Sequence, residues 1–119
     1  MKDLDFERDS YDDILAKDKR YAPEAYTLIM DVVQYLGENG KSISANCILN
    51  EFRERTLDLY GPFSLHVLKE LGVESCSEVG AIMGNLVAAG RVGREPEDSL
   101  SDFDFGFDFE EAFVSPFNP

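Results

Sequence analysis

From Pro23 onward apolar side chains return every third or fourth position, at Ala25, Tyr26, Ile29, Val32, Val33 and Leu36. That spacing lays a stripe along one face of an α-helix. Pro23 suits the first turn, where its missing amide proton would have had no partner inside the helix. The pattern predicts a helix from Pro23 to Leu36, stopped by Gly37 and turned by Asn39-Gly40. Upstream, Tyr11, Ile14 and Leu15 fit one face of a short docking helix, preceded by a frayed start over residues 1–10.

Lys41 to Ser44 reads as a brief extended piece around Ile43, and Ser44 is placed to cap a second helix with Ile48, Leu49, Phe52, Thr56 and Leu59 inward. Gly61-Pro62 interrupts that period. A shorter helix restarts at Pro62 with Phe63, Val67, Leu68 and Leu71 inward, and Gly72 ends it. Ser75 and Glu78 stand at the offset of a capping box. The helix they open runs to about Ala89, with Val79, Ile82, Met83, Leu86 and Val87 on its apolar side. Gly80, Gly84 and Ala88 recur four apart on another side, so that face has almost no bulk and invites close packing.

Beyond Gly90 the period changes. Val92 suits the start of a strand, a polar loop spans Glu95 to Ser101, and Phe103, Phe105, Phe107 and Phe109 then alternate with Asp102, Asp104, Gly106 and Asp108. Alternation of period two predicts a strand with one dry face, weakened or bulged at Gly106. The element order predicts a mostly α fold with a small antiparallel sheet, close to a winged helix; a helical bundle with an aromatic, acidic C-terminal tail is the alternative.

A length of 119 residues bounds the chain to one domain, residues 1–119, able to bury a real core. Charge changes the picture more than size does. The net is −13, and eight of the 24 acids but none of the 11 bases fall after Arg94, leaving 16 acids against 11 bases, a net of −5, before it. Residues 95–119 are thus a separate electrostatic object, and six of the nine phenylalanines lie in the last 17 residues. Such a balance repels nucleic-acid backbones and anionic membrane surfaces. No apolar run approaches the ~18 residues of a membrane span. Cys47 and Cys76 form no CxxC pair and no signal peptide precedes them, so two free thiols in a cytoplasmic setting are expected.

Candidate chemistry is sparse. Gly40-Lys41-Ser42 ends like a phosphate-binding loop, but Tyr35 stands where that motif requires glycine. His66 is the only histidine and has no partner at metal-ligand spacing. Acids of the tail match no calcium loop, and they face no base across a strand. No catalytic residue, cofactor or metal is therefore expected, and no enzyme. The helix before the expected wing, Ser75 to Ala89, lacks Lys and Arg. This argues against base reading in the major groove. A winged-helix nucleic-acid regulator survives only as the alternative, resting on Lys17, Lys19, Arg20, Arg53 and Arg55 gathering in space.

Ile14-Leu15, Asp18-Lys19-Arg20-Tyr21 and Pro23-Glu24-Ala25-Tyr26 resemble the N-terminal signature of an uncharacterised family of small bacterial proteins found mainly in planctomycete and verrucomicrobial genomes. Further similar landmarks are Ile43-Ser44-Ala45, Ile48-Leu49, Phe52-Arg53-Glu54, Tyr60-Gly61-Pro62, Val79-Gly80, Leu86-Val87, Gly90, Asp108-Phe109 and Ala112-Phe113. Glycine is common in the family at the position of Ala45 and tryptophan at that of Leu71. The resemblance implies single-domain integrity and carries no activity, ligand or functional residue over to these positions.

The sequence thus predicts a non-enzymatic protein-interaction module with a protein partner of unstated identity; a homodimer is compatible with it. Phe103 to Phe109 read as a final strand covering the chain's own core. The partner-binding candidates are Phe107, Phe109, Phe113 and Phe117, with Phe113 and Phe117 favoured by their place beside Pro116 and Pro119.

Overall fold

A computed structural model describes residues 11–92 and 100–118. Six α-helices form among them: α1 (Asp12–Lys17), α2 (Pro23–Glu38), α3 (Ala45–Tyr60), α4 (Ser64–Leu71), α5 (Cys76–Ala88) and α6 (Phe109–Phe113). Short 3-10 turns occupy Gly61–Phe63, Leu100–Phe105 and Ser115–Phe117. The frayed start expected over 1–10, and the part of the polar loop over 95–99, lie outside the described residues.

The three longest helices, α2, α3 and α5, pack on one another, and α4 bridges α2 and α3. Tyr26, Ile29 and Val32 of α2 meet Ile48 and Phe52 of α3 and Val79, Ile82, Met83 and Leu86 of α5 in one core, where each is almost wholly buried. Pro23 opens α2 and the Ser44 hydroxyl caps α3 by accepting from the Cys47 amide at 3.2 Å, as the sequence predicts. Gly37 does not stop α2. The helix runs on to Glu38, and its end is closed by the Lys41 amide donating back to the Leu36 carbonyl at 2.8 Å.

No strand forms among the described residues, which overturns the winged-helix expectation; the helical-bundle alternative fits. Ile43 is buried, but the extended residues around it have no neighbouring strand to pair with. Residues 91–92, where Val92 was to start a strand, are a bend beyond the α5 terminus. The Phe-Asp alternation coils instead of extending. On a 3-10 turn of three residues per revolution, positions two apart point about 240° apart, so Phe103 goes inward while Phe105 is 84% exposed. Past Gly106 the chain turns into α6, whose first amides are capped by Asp108 accepting from Glu111 at 3.1 Å.

The C-terminal segment is part of the core. Phe103 seats on the bare face of α5, where a β-carbon added at Gly80 would stand 2.8 Å from the Phe103 Cβ. Phe109 and Phe113 pack edge-to-face at 5.1 Å between centroids, and both meet Phe52 of α3 at 6.1 Å. Removing water from these rings adds to the gain in closing the bundle. Two other expected core residues, Leu59 and Phe63, are 60% and 69% exposed. Gly61 takes φ +53 between them and breaks the helical phase, so the stripe of α3 does not continue across Gly61-Pro62.

Candidate functional site

Among the described residues, three surface depressions that gather polar side chains are weighed by what their groups are already doing. The first, about 100 Å³, lies between α1 and α5 and is lined by Asp13, Lys17, Asp18, Asn85 and neighbouring apolar atoms. Asp18 is its best-connected group. Its carboxylate accepts from the Arg20 backbone amide (3.1 Å), from Arg20 Nε (2.9 Å) and Nη2 (2.7 Å), and from Asn85 Nδ2 (3.0 Å). Asn85 Nδ2 also donates to the buried Tyr26 hydroxyl at 2.9 Å. Hydrogen bonding from the Arg20 side chain holds the Asp18 carboxyl well below the usual carboxylate range, against the opposing effect of burial; Asn85 and the Arg20 amide add to the lowering. A carboxylate so occupied is a poor proton acceptor at neutral pH. The network ties the α1–α2 loop to α5.

The second depression, about 340 Å³, lies beside the N-terminal half of α3 and includes Tyr35, Lys41, Cys47 and Glu51. Glu51 already accepts from Arg55 at 3.0 Å, and the Arg55 guanidinium lies 5.4 Å from the Tyr35 ring centroid. His66, exposed on α4, lines none of the three depressions. Among the described residues no group of His, Cys, Asp and Glu is placed to hold a metal ion, and no helix is long and apolar enough to cross a membrane.

The third is a groove of about 260 Å³ between the α4–α5 corner and the start of α6. Leu65 and Lys69 of α4, Glu74 and Ser75 before α5, and Phe107 to Glu110 line it. Its C-terminal wall is fixed from beneath. Ser77 Oγ donates to Asp104 Oδ1 at 2.7 Å, and Cys76 Sγ donates to the Phe107 carbonyl at 3.4 Å. Burial pushes the Cys76 thiol up to about 11, in spite of that carbonyl contact, so at neutral pH it is a packing group and no nucleophile. The capping box expected at this corner is not made as such. Glu78 reaches back to the Glu74 amide at 2.6 Å, but the Ser75 hydroxyl makes no capping bond and instead lines the groove.

The four candidate anchors separate here. Phe107 is half-buried in the groove wall. Phe109 and Phe113 are buried in the core, which corrects their reading as surface anchors: α6 turns them onto Phe52. Phe117 is 45% exposed on the last 3-10 turn and does not line the groove. Among the described residues the most exposed aromatic is Phe105, which the strand reading placed on the dry face with Phe103. The signal against that reading was present in Asp108 three residues before Glu111, followed by Ala112. This is a cap and a helix start that an extended strand cannot use.

Of the five bases considered for nucleic acid, two, Arg20 and Arg55, are held in ion pairs. Arg20 is paired with Asp18 and Arg55 with Glu51, while Arg91, beyond α5, is paired with Asp13. The Val79 to Leu86 stretch of α5 lies largely inside the core. Comparison of the chain with family models, curated proteins and solved structures finds no match, so the resemblance of its landmarks brings no activity or site residue to this chain.

Proposed function

We propose that this domain is a non-enzymatic protein-interaction module whose docking surface is the C-terminal segment around Phe105. The observation that carries this reading is a division of labour within one short stretch. Phe103, Phe109 and Phe113 are spent on the core, while Phe105, in the same segment, is 84% exposed. The residues on either side of it are tied to α5, Asp104 through its side chain to Ser77 and Phe107 through its carbonyl to Cys76. An exposed ring on a held turn loses little conformational freedom on docking, and its burial is worth about 2 kcal/mol, or roughly thirtyfold in affinity. Two thiols, both free, support a reducing, cytoplasmic setting.

The test is parallel affinity capture from a lysate of the producing cells with three full-length baits: unaltered chain, Phe105→Ala and Phe117→Ala. The expected outcome is a defined protein retained by the unaltered and Phe117→Ala baits and lost with Phe105→Ala, whose circular dichroism is unchanged. The same captured set on all three baits, or none on any, counts against the proposal.

A further inference from the structure

Five asparagines stand in the chain, and only Asn39 is followed by glycine. The pair closes α2, and both residues are exposed. Gly40 takes φ +66, where a β-carbon would meet nothing within 4 Å. The turn therefore stands in open space. Its end is held by three bonds: Asn39 Nδ2 donates to the Tyr35 carbonyl at 2.8 Å, the Gly40 amide to the Gly37 carbonyl at 3.2 Å and the Lys41 amide to the Leu36 carbonyl at 2.8 Å. The first two join exposed residues, so they open with the fraying of a helix end. The other asparagines lack this combination. Asn46 and Asn50 lie inside α3, Asn85 lies inside α5 with its amide nitrogen shared between Asp18 and Tyr26, and Asn118 precedes Pro119, whose nitrogen carries no proton.

We infer that Asn39 is a site of spontaneous deamidation, converted to aspartate and isoaspartate through a cyclic imide whose closure requires the last turn of α2 to open. The site belongs to α2 and does not rest on the docking role of the C-terminal segment. The reactants are the Gly40 nitrogen, the Asn39 side chain and water. The deprotonated nitrogen attacks the side-chain carbonyl carbon, which glycine leaves unhindered. A C–N bond forms, the bond to Nδ2 breaks, and Nδ2 leaves as ammonia with the proton lost by Gly40. Water then opens the ring. Breaking the new C–N bond gives aspartate; breaking the original peptide C–N bond gives isoaspartate, with the main chain rerouted through the side chain. In the closed turn both reacting groups are engaged elsewhere, Nδ2 on Tyr35 and the Gly40 amide on Gly37. Either product places a negative charge at the C-terminal end of α2, where the helix carbonyls form a negative pole and no base stands in the last turn. A carboxylate cannot donate to the Tyr35 carbonyl. The modification thus loosens the end of α2 and its link to α3.

The full-length chain is incubated at pH 8 in buffer and, in parallel, in urea above its unfolding transition. Peptide masses locate each amide lost, and enzymatic methyl transfer counts isoaspartate. Conversion is expected at Asn39 ahead of the other four asparagines, with isoaspartate the larger product, and about tenfold slower in buffer than in urea because surface hydrogen bonds must first open. Asn39→Gln, which closes only a larger ring, is expected to stay intact. Asn39→Asp supplies one product directly and is expected to lower the urea midpoint. Earlier loss at any other asparagine, aspartate without isoaspartate, or a folded chain still intact after several tens of unfolded-chain half-lives overturns the inference. Equal rates in buffer and urea overturn the requirement for opening, and an unchanged midpoint for Asn39→Asp overturns the loosening of α2.

Discussion

A β-carbon at Gly80 meets the Phe103 side chain at 2.8 to 3.1 Å, closer than side chains pack, and both groups sit in the core. Gly80→Ala is expected to destabilise the chain by about 1–3 kcal/mol, read as a lower urea midpoint with an unchanged slope. Asn85 is the polar counterpart. Asn85→Ala takes a donor from the Tyr26 hydroxyl and from Asp18 at once, a loss of about 1–3 kcal/mol in the same experiment. Asp18 also sets a pH dependence. Its folded-state pKa is depressed, so its contribution is complete above the ordinary carboxylate value near 3.9 and is lost as pH falls below it. An acid titration of stability is expected to fall less steeply between about pH 4 and pH 2 for Asp18→Asn than for the parent. At this scale the close approach to α5 was legible at Gly80, though Ala88, on the same four-apart row, is exposed, and the Ser44 cap was legible as a hydroxyl before a helical period. The Asn85 bridge was not, because its partners lie 67 and 59 positions away and nothing local marks them.

Where elements are concerned, the long helices were readable and the C-terminal segment was not. Periods of three and four residues in α2, α3 and α5 persist for three or more turns, so local spacing and burial agree. In the segment from Leu100 to Phe113 the spacing of two was real, but it described a tight turn and a capped helix whose rings point to different neighbours. The absence of a paired neighbour for Ile43 belongs to the same lesson: strand formation needs a partner, and one strand's pattern cannot supply it. The segment's role has a chemical readout. Cys76 lies beneath Gly106 and Phe107, where a β-carbon on Gly106 would meet its sulfur at 2.6 Å. Thiol labelling at pH 8 is expected to proceed in two phases, with Cys76 reacting only at the rate of global opening and accelerating with urea. Uniform fast labelling of both thiols would contradict the buried placement.

The molecule as a whole carries a net charge of −13, and its described ion pairs are confined to three, all with at least one partly exposed side chain. Repulsion among the remaining acids is therefore screened by salt within a Debye length of about 10 Å at 0.1 M. Thermal midpoints are expected to rise between 10 and 300 mM NaCl, the reverse of a fold held by surface ion pairs. The sequence made the charge imbalance plain, but not its geometry. Arg55 and Glu51, four apart on α3, and Arg20 and Asp18, two apart, are local pairs, whereas the match of Arg91 to Asp13 emerges only when α1 meets the end of α5.

Phe103, Phe109 and Phe113 enter the interior from the far end of the chain, and losing a buried phenylalanine costs about 3–5 kcal/mol each, comparable to the whole stability of a small domain. During synthesis the helices from Pro23 to Ala88 emerge with a gap where those rings belong. The nascent protein thus stays unfinished, and open to chaperones and proteases, until Phe113 has cleared the ribosome.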